Sequence, residues 1–145
     1  MKKTFLGLFI FIFINSNSYA GTEGYGELKL NDLVVEYFKK YLSTTEVQNS
    51  KVFNKTGRGW YFAVAQSGEE FGYRYCPKSE VCIQNPAGAK QDCQKNVKKY
   101  LKRKEKCSTF ARQRTIVWGG KNIKIKRNAS NAEIDAILKE HGFIN

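Results

Sequence analysis

The chain is short of several things that chemistry usually needs. It has one histidine, His141, so acid–base work near neutral pH has one obvious candidate. That histidine falls in the last turn of a predicted terminal helix, where a cation suits the helix dipole. The four cysteines are spaced C-x5-C-x10-C-x13-C and lack the close C-x2-C pairs that set two thiolates on one zinc ion. No glycine-rich phosphate loop follows a strand, because Gly57-Arg58-Gly59 precedes one. The adjacent carboxylates Glu69 and Glu70 sit in a predicted turn, where solvated charge is the ordinary role. Beyond residue 20 no apolar run approaches the roughly 20 residues that a membrane-spanning helix needs. These absences argue against an enzyme, a metal site and any cofactor.

Acidic residues are scarcest between Lys95 and Arg127, where Glu105 alone faces thirteen lysines and arginines. The net charge of that stretch is therefore +12. Residues 21–94 carry nine bases and nine acids, and residues 128–145 come to −2. The surplus charge thus occupies about a quarter of the chain. Such a field attracts polyanions whatever the fold.

The first twenty residues read as a signal peptide. Lys2 and Lys3 precede the apolar run Phe5 to Ile14, and a polar stretch ends at Ser18-Tyr19-Ala20, a small-x-small cleavage site. Cleavage near Ala20 predicts a periplasmic or secreted protein of 125 residues, one domain's worth.

Periodicity predicts one α+β domain over 21–145, opened by a flexible leader at 21–28. Asn31 caps a helix over 32–42 whose stripe is Leu33, Val34, Tyr37, Phe38, Tyr41 and Leu42. A short strand at Lys51–Asn54 is conceivable from composition. Trp60–Gln66 and Phe71–Cys76 form a hairpin around Ser67-Gly68-Glu69. Asn85-Pro86 starts a second helix, ending near Arg103. Its apolar stripe is Ala89, Cys93, Val97, Tyr100 and Leu101, opposite a lysine face of Lys95, Lys98, Lys99 and Lys102. Cys107–Trp118 reads as one long strand, Asn122–Arg127 as an edge strand. Ser130 and Glu133 form a capping box for a last short helix that Gly142 closes. The expected sheet is antiparallel with three to four strands, an N-terminal helix, a central basic helix and a short C-terminal helix.

An even number of cysteines in an exported chain favours two disulfides. Of three pairings, Cys76–Cys82 with Cys93–Cys107 is preferred. The helix runs about 15 Å past Cys93, and the four steps back to Cys107 recover about 13 Å at most. The second bridge therefore requires the chain to reverse at once. Cys107 would then face the helix, with Thr109, Ala111, Gln113, Thr115 and Val117 beside it and Ala63, Ala65 and Gly72 across from it. Trp60, Phe62, Phe71, Tyr73, Phe110, Arg112, Arg114 and Trp118 fall on the other face, read either as a core layer beneath the first helix or as a partly open platform that stacks a ligand.

The run Cys107-x-x-Phe110-Ala111-Arg112-x-Arg114-x-Ile116-Val117-Trp118, following Ala89-x3-Cys93, resembles a set of small exported proteins of marine bacteria. Gly24-x-Gly26-Glu27-Leu28 before Tyr37-Phe38, and Leu138 before Gly142-Phe143, fit the same resemblance. It implies export and a shared fold, and implies no activity. The Cys-x-x-Phe-Ala core is also similar to other exported domains in which a helix cysteine pairs with the next strand, and that resemblance supports Cys93–Cys107.

The sequence thus points to a non-catalytic exported protein. Its candidate anion-binding residues are Lys95, Lys98, Lys99, Lys102, Arg103, Arg112 and Arg114. The partners implied are anionic envelope or extracellular polymers or lipid headgroups, with no recognisable nucleic-acid module. The alternative is a small secreted hydrolase of phosphodiesters or glycans. If Cys93 pairs with Cys107, the lysine face and Arg112/Arg114 fall on opposite sides of the sheet.

Overall fold

In a computed structural model, residues 23–43, 57–77, 81–82 and 85–145 are described. The segment expected to be a signal peptide, the first residues of the expected leader and the strand expected at 51–54 lie outside them. Helix α1 spans Asp32–Leu42. The Asn31 side chain accepts from the Val34 N–H at 2.9 Å, and Asp32 and Lys39/Lys40 match the dipole at either end. Strands β1 (Gly57–Ala65) and β2 (Phe71–Pro77) form the expected hairpin. Helix α2 covers Ala87–Asn96 and continues through a wider turn at Val97–Leu101. β3 (Cys107–Arg112), β4 (Thr115–Ile116) and β5 (Ile123–Lys124) follow. α3 spans Asn131–Glu140, started by the Ser130/Glu133 capping box.

The fold is α+β, with five antiparallel strands in the order β2-β1-β3-β4-β5 rather than three or four. The extra strand comes from the stretch read as one long strand. The chain folds back at Gln113-Arg114, pairing Arg112 with Thr115 and Ala111 with Ile116. Gln113 takes a positive φ of 49°, and nothing in Arg-Gln-Arg-Thr announces such a turn.

One sheet face packs on α1 and α3. Phe38 and Tyr41 lie against Phe62, Phe38 meets Phe110 edge-on at 5.1 Å, and Leu138 and Phe143 close the layer. The other face packs on α2, where Ala89, Cys93 and Val97 meet Tyr61, Ala63 and Ala65. Both disulfides form as preferred. Cys76–Cys82 has a Cα separation of 5.8 Å, and Cys93–Cys107, at 6.1 Å, ties α2 to the start of β3.

Two bulges alter the expected faces. One lies between Phe62 and Ala63 of β1 against β3, so that Phe110 and Ala111 both face α1. Ala111 therefore leaves the α2 side, and Arg112, paired with Tyr61, joins it. The other lies between Gly59 and Tyr61, putting Trp60 beside Tyr61 on the α2 side. Beyond Asn96 the wider turn changes the rotation per residue. Tyr100, expected in the apolar stripe, is consequently 59% exposed. The helix stops at Leu101, two residues before Arg103, with Lys102 left-handed.

The leader is held at several points over its described part. Glu23 bridges to Thr109, the Gly119 N–H donates to the Gly24 carbonyl at 2.7 Å, the Trp118 indole N–H donates to the Gly26 carbonyl at 3.0 Å, and Leu28 is buried.

Candidate basic surface and adjoining grooves

The lysine face departs from the α-helical spacing: Lys95 lies on α2, but Lys98 and Lys99 lie in the wider turn and Lys102 is left-handed beyond it. With Ala89, Cys93 and Val97 turned to the sheet, Lys95, Lys98, Lys99 and Lys102 are all exposed. Asp92 approaches Lys95 at 3.9 Å but is held closer by Arg74, at 2.9 Å. Among the described residues, no carboxylate lies within ion-pair reach of Lys98, Lys99 or Lys102. The Lys99 ammonium sits 4.8 Å from the centre of the Tyr100 ring. A hydrogen bond to Tyr100 raises it above the usual lysine value.

The three candidate arginines are engaged elsewhere. Arg103 pairs with Glu69 and Glu105, and these bonds raise its guanidinium above its ordinary value. Burial raises Glu105, but the Ser67 N–H and Arg103 outweigh it and leave its carboxyl below the usual range. Arg103 and Glu105 thus fasten the 102–106 loop to the β1–β2 turn. Arg112 pairs with Glu23. Arg114 donates to three backbone carbonyls: Leu42 at 2.6 Å, Ile125 at 3.2 Å and Lys126. Of Arg112 and Arg114, only Arg114 turns toward α1. The expected separation from the lysine face holds for Arg114 and fails for Arg112, because of the bulge near Phe110.

Beside the lysine face runs a groove of about 760 Å³ between α1 and α2, floored by β2. Leu33, 46% exposed, and Tyr100 stand on its walls, and Phe71, Tyr73 and Tyr37 add aromatic surface. Its strand edge is partly blunted: the Asn96 amide donates to the Phe71 carbonyl at 2.8 Å. Glu70 is buried there, and burial raises its carboxyl above the usual range. Spacing could not reveal this groove, because its walls come from three separate segments and Tyr100 was expected inside.

All four cysteines are in disulfides, leaving no thiol as a nucleophile. Among the described residues, no helix is long and apolar enough to cross a membrane. No family model, curated protein or solved structure matches the chain.

Proposed function

We propose that the chain is an exported, non-catalytic binding protein that engages anionic polymers through the outer face of α2. One observation carries the reading: Lys98, Lys99 and Lys102 are exposed without a carboxylate partner among the described residues. A face kept only for solubility would be expected to mix both signs. The two disulfides suit an oxidising compartment, in keeping with the signal-peptide reading of residues 1–20 and with the resemblance to exported bacterial proteins. The site is narrower than the charge count suggests, because Arg103, Arg112 and Arg114 have other partners.

The test is binding of the mature protein to an acidic polysaccharide and to anionic vesicles at low and high ionic strength. Affinity should fall steeply with salt. Replacing Lys95, Lys98, Lys99 and Lys102 together with Gln should abolish it. Binding that survives high salt or the quadruple variant refutes the reading. Sequencing the exported protein's N-terminus should begin at Gly21.

The glycan-hydrolase alternative has one feature in its favour, the raised carboxyl of Glu70 within an aromatic groove. Turnover of an oligosaccharide that is lost in Glu70→Gln would establish it.

A further inference from the structure

A second, smaller pocket of about 270 Å³ opens where the end of α1 meets the start of α3. Its lining includes the cations Lys39, Arg114 and Arg127 and the polar side chains of Ser43, Asn128 and Asn131, with no Asp or Glu among the described residues. Lys39 is offset by Asp135 at 2.6 Å, just outside the lining. The two arginines have no such partner among the described residues. They stand close enough that Arg127, after burial itself, lowers the Arg114 guanidinium from its ordinary value. Two cations brought together without an acid repel one another, and a bound anion relieves that repulsion.

Arg114 is also fixed in advance. A guanidinium has five N–H donors. The carbonyls of Leu42, Ile125 and Lys126 occupy three of them, Ile125 and Lys126 sharing Nε. Two donors remain, on a group already held in place, so little freedom is lost when they engage a ligand. The Leu42 carbonyl, which would repel an anion, is turned to Arg114. Asn131 opens α3, whose N-terminus already holds the Glu133 carboxylate in the capping box with Ser130, so the attraction for an anion comes from the arginines. The volume suits a compact group and excludes a length of polymer.

We propose that this pocket binds a tetrahedral oxyanion, phosphate or sulfate, either free or at the end of an ester. It lies on the α1 side of the sheet, across from the lysine face, and does not depend on the reading given for that face.

The experiment is a titration of the disulfide-bonded, isotope-labelled mature protein with inorganic phosphate and with sulfate, at constant ionic strength in chloride. Saturable shifts should appear in the backbone amides around residues 127–132 and in the Arg114 and Arg127 Nε–H signals. Arg127→Gln should weaken affinity about tenfold, the loss expected for one charge-assisted hydrogen bond, and Arg127→Lys should restore part of it. The quadruple lysine-to-Gln variant of α2 should bind as tightly as the parent. Glycerol phosphate identifies the source: equal affinity marks a site open to an esterified group, and a selective loss marks one for the free ion. Shifts that never saturate, shifts centred on α2, or unchanged affinity in Arg127→Gln would each overturn the proposal.

Discussion

Gly72 on β2 lies directly beneath Cys93 on α2, so close that a Cβ on Gly72 would stand 2.3 Å from the Cys93 backbone nitrogen and 2.4 Å from the Ala89 carbonyl oxygen. Helix backbone cannot give way as a side-chain tip can. Gly72→Ala should therefore lift α2 from the sheet and destabilise the protein by about 1–3 kcal/mol, the usual range for overpacking. Denaturant unfolding of the oxidised protein measures this, and an unchanged midpoint would contradict the contact.

The two disulfides should contribute unequally. Cys93–Cys107 closes the longer loop, with a sequence separation of 14 against 6 for Cys76–Cys82. Loop-closure entropy gives about 3 kcal/mol for the former and about 2 for the latter. Paired Cys→Ala variants compared by urea unfolding should keep that order. Alkylation of the unreduced protein should find no free thiol.

Thr109 is fully buried, and its hydroxyl has no hydrogen-bond partner among the described residues. Valine has the same shape without the polar atom. Thr109→Val should be neutral or stabilising by up to about 1 kcal/mol. A clear loss of stability would show that the hydroxyl is satisfied.

Glu70 and Glu105 should bend the pH dependence in opposite directions. Burial first, then Glu69, raises Glu70 above its unfolded value, although the Phe71 N–H opposes this. The native state therefore holds the proton longer, and Glu70 costs stability as pH rises through the interval just above the usual carboxylate range. Glu70→Gln should be more stable than the parent near neutral pH and match it in acid. Glu105 is lowered overall, so its contribution is present above the unfolded value and lost as pH falls through the folded one. Glu105→Gln should be the less stable variant near neutral pH and approach the parent in acid. Thermal melts across pH separate the two.

Features set by neighbours along the chain were legible in the sequence. Asn31 and the Ser130/Glu133 box start their helices as the residues alone require, and Val34, Phe38, Tyr41 and Leu42 of the predicted stripe are buried, while Leu33 stands exposed and Val35 is buried instead. The lysine face followed from the same periodicity only as far as Lys95, because the wider turn beyond Asn96 changes the spacing. Features set by partners across the sheet were not legible. The bulge near Phe110 depends on the register between β1 and β3, and it decided which side Arg112 would take. The reversal at Gln113 uses a residue with no turn preference. Arg112 and Arg114 counted as free charge because Glu23 and the Leu42 carbonyl lie 89 and 72 residues away, whereas Arg103 has one distant partner, Glu69, 34 residues off, and one near, Glu105.

The anchoring of Arg114 carries one more implication, for the order of events in folding. Its three acceptors come from the end of α1 and from the segment after β5, and Arg127 follows directly. The arginine pair can exist only once the first helix, the β3–β4 turn and the last edge segment have met. Distant contacts of this kind assemble late. An anion held there would recognise only the finished molecule, and so would mark, and favour, chains that have completed their assembly.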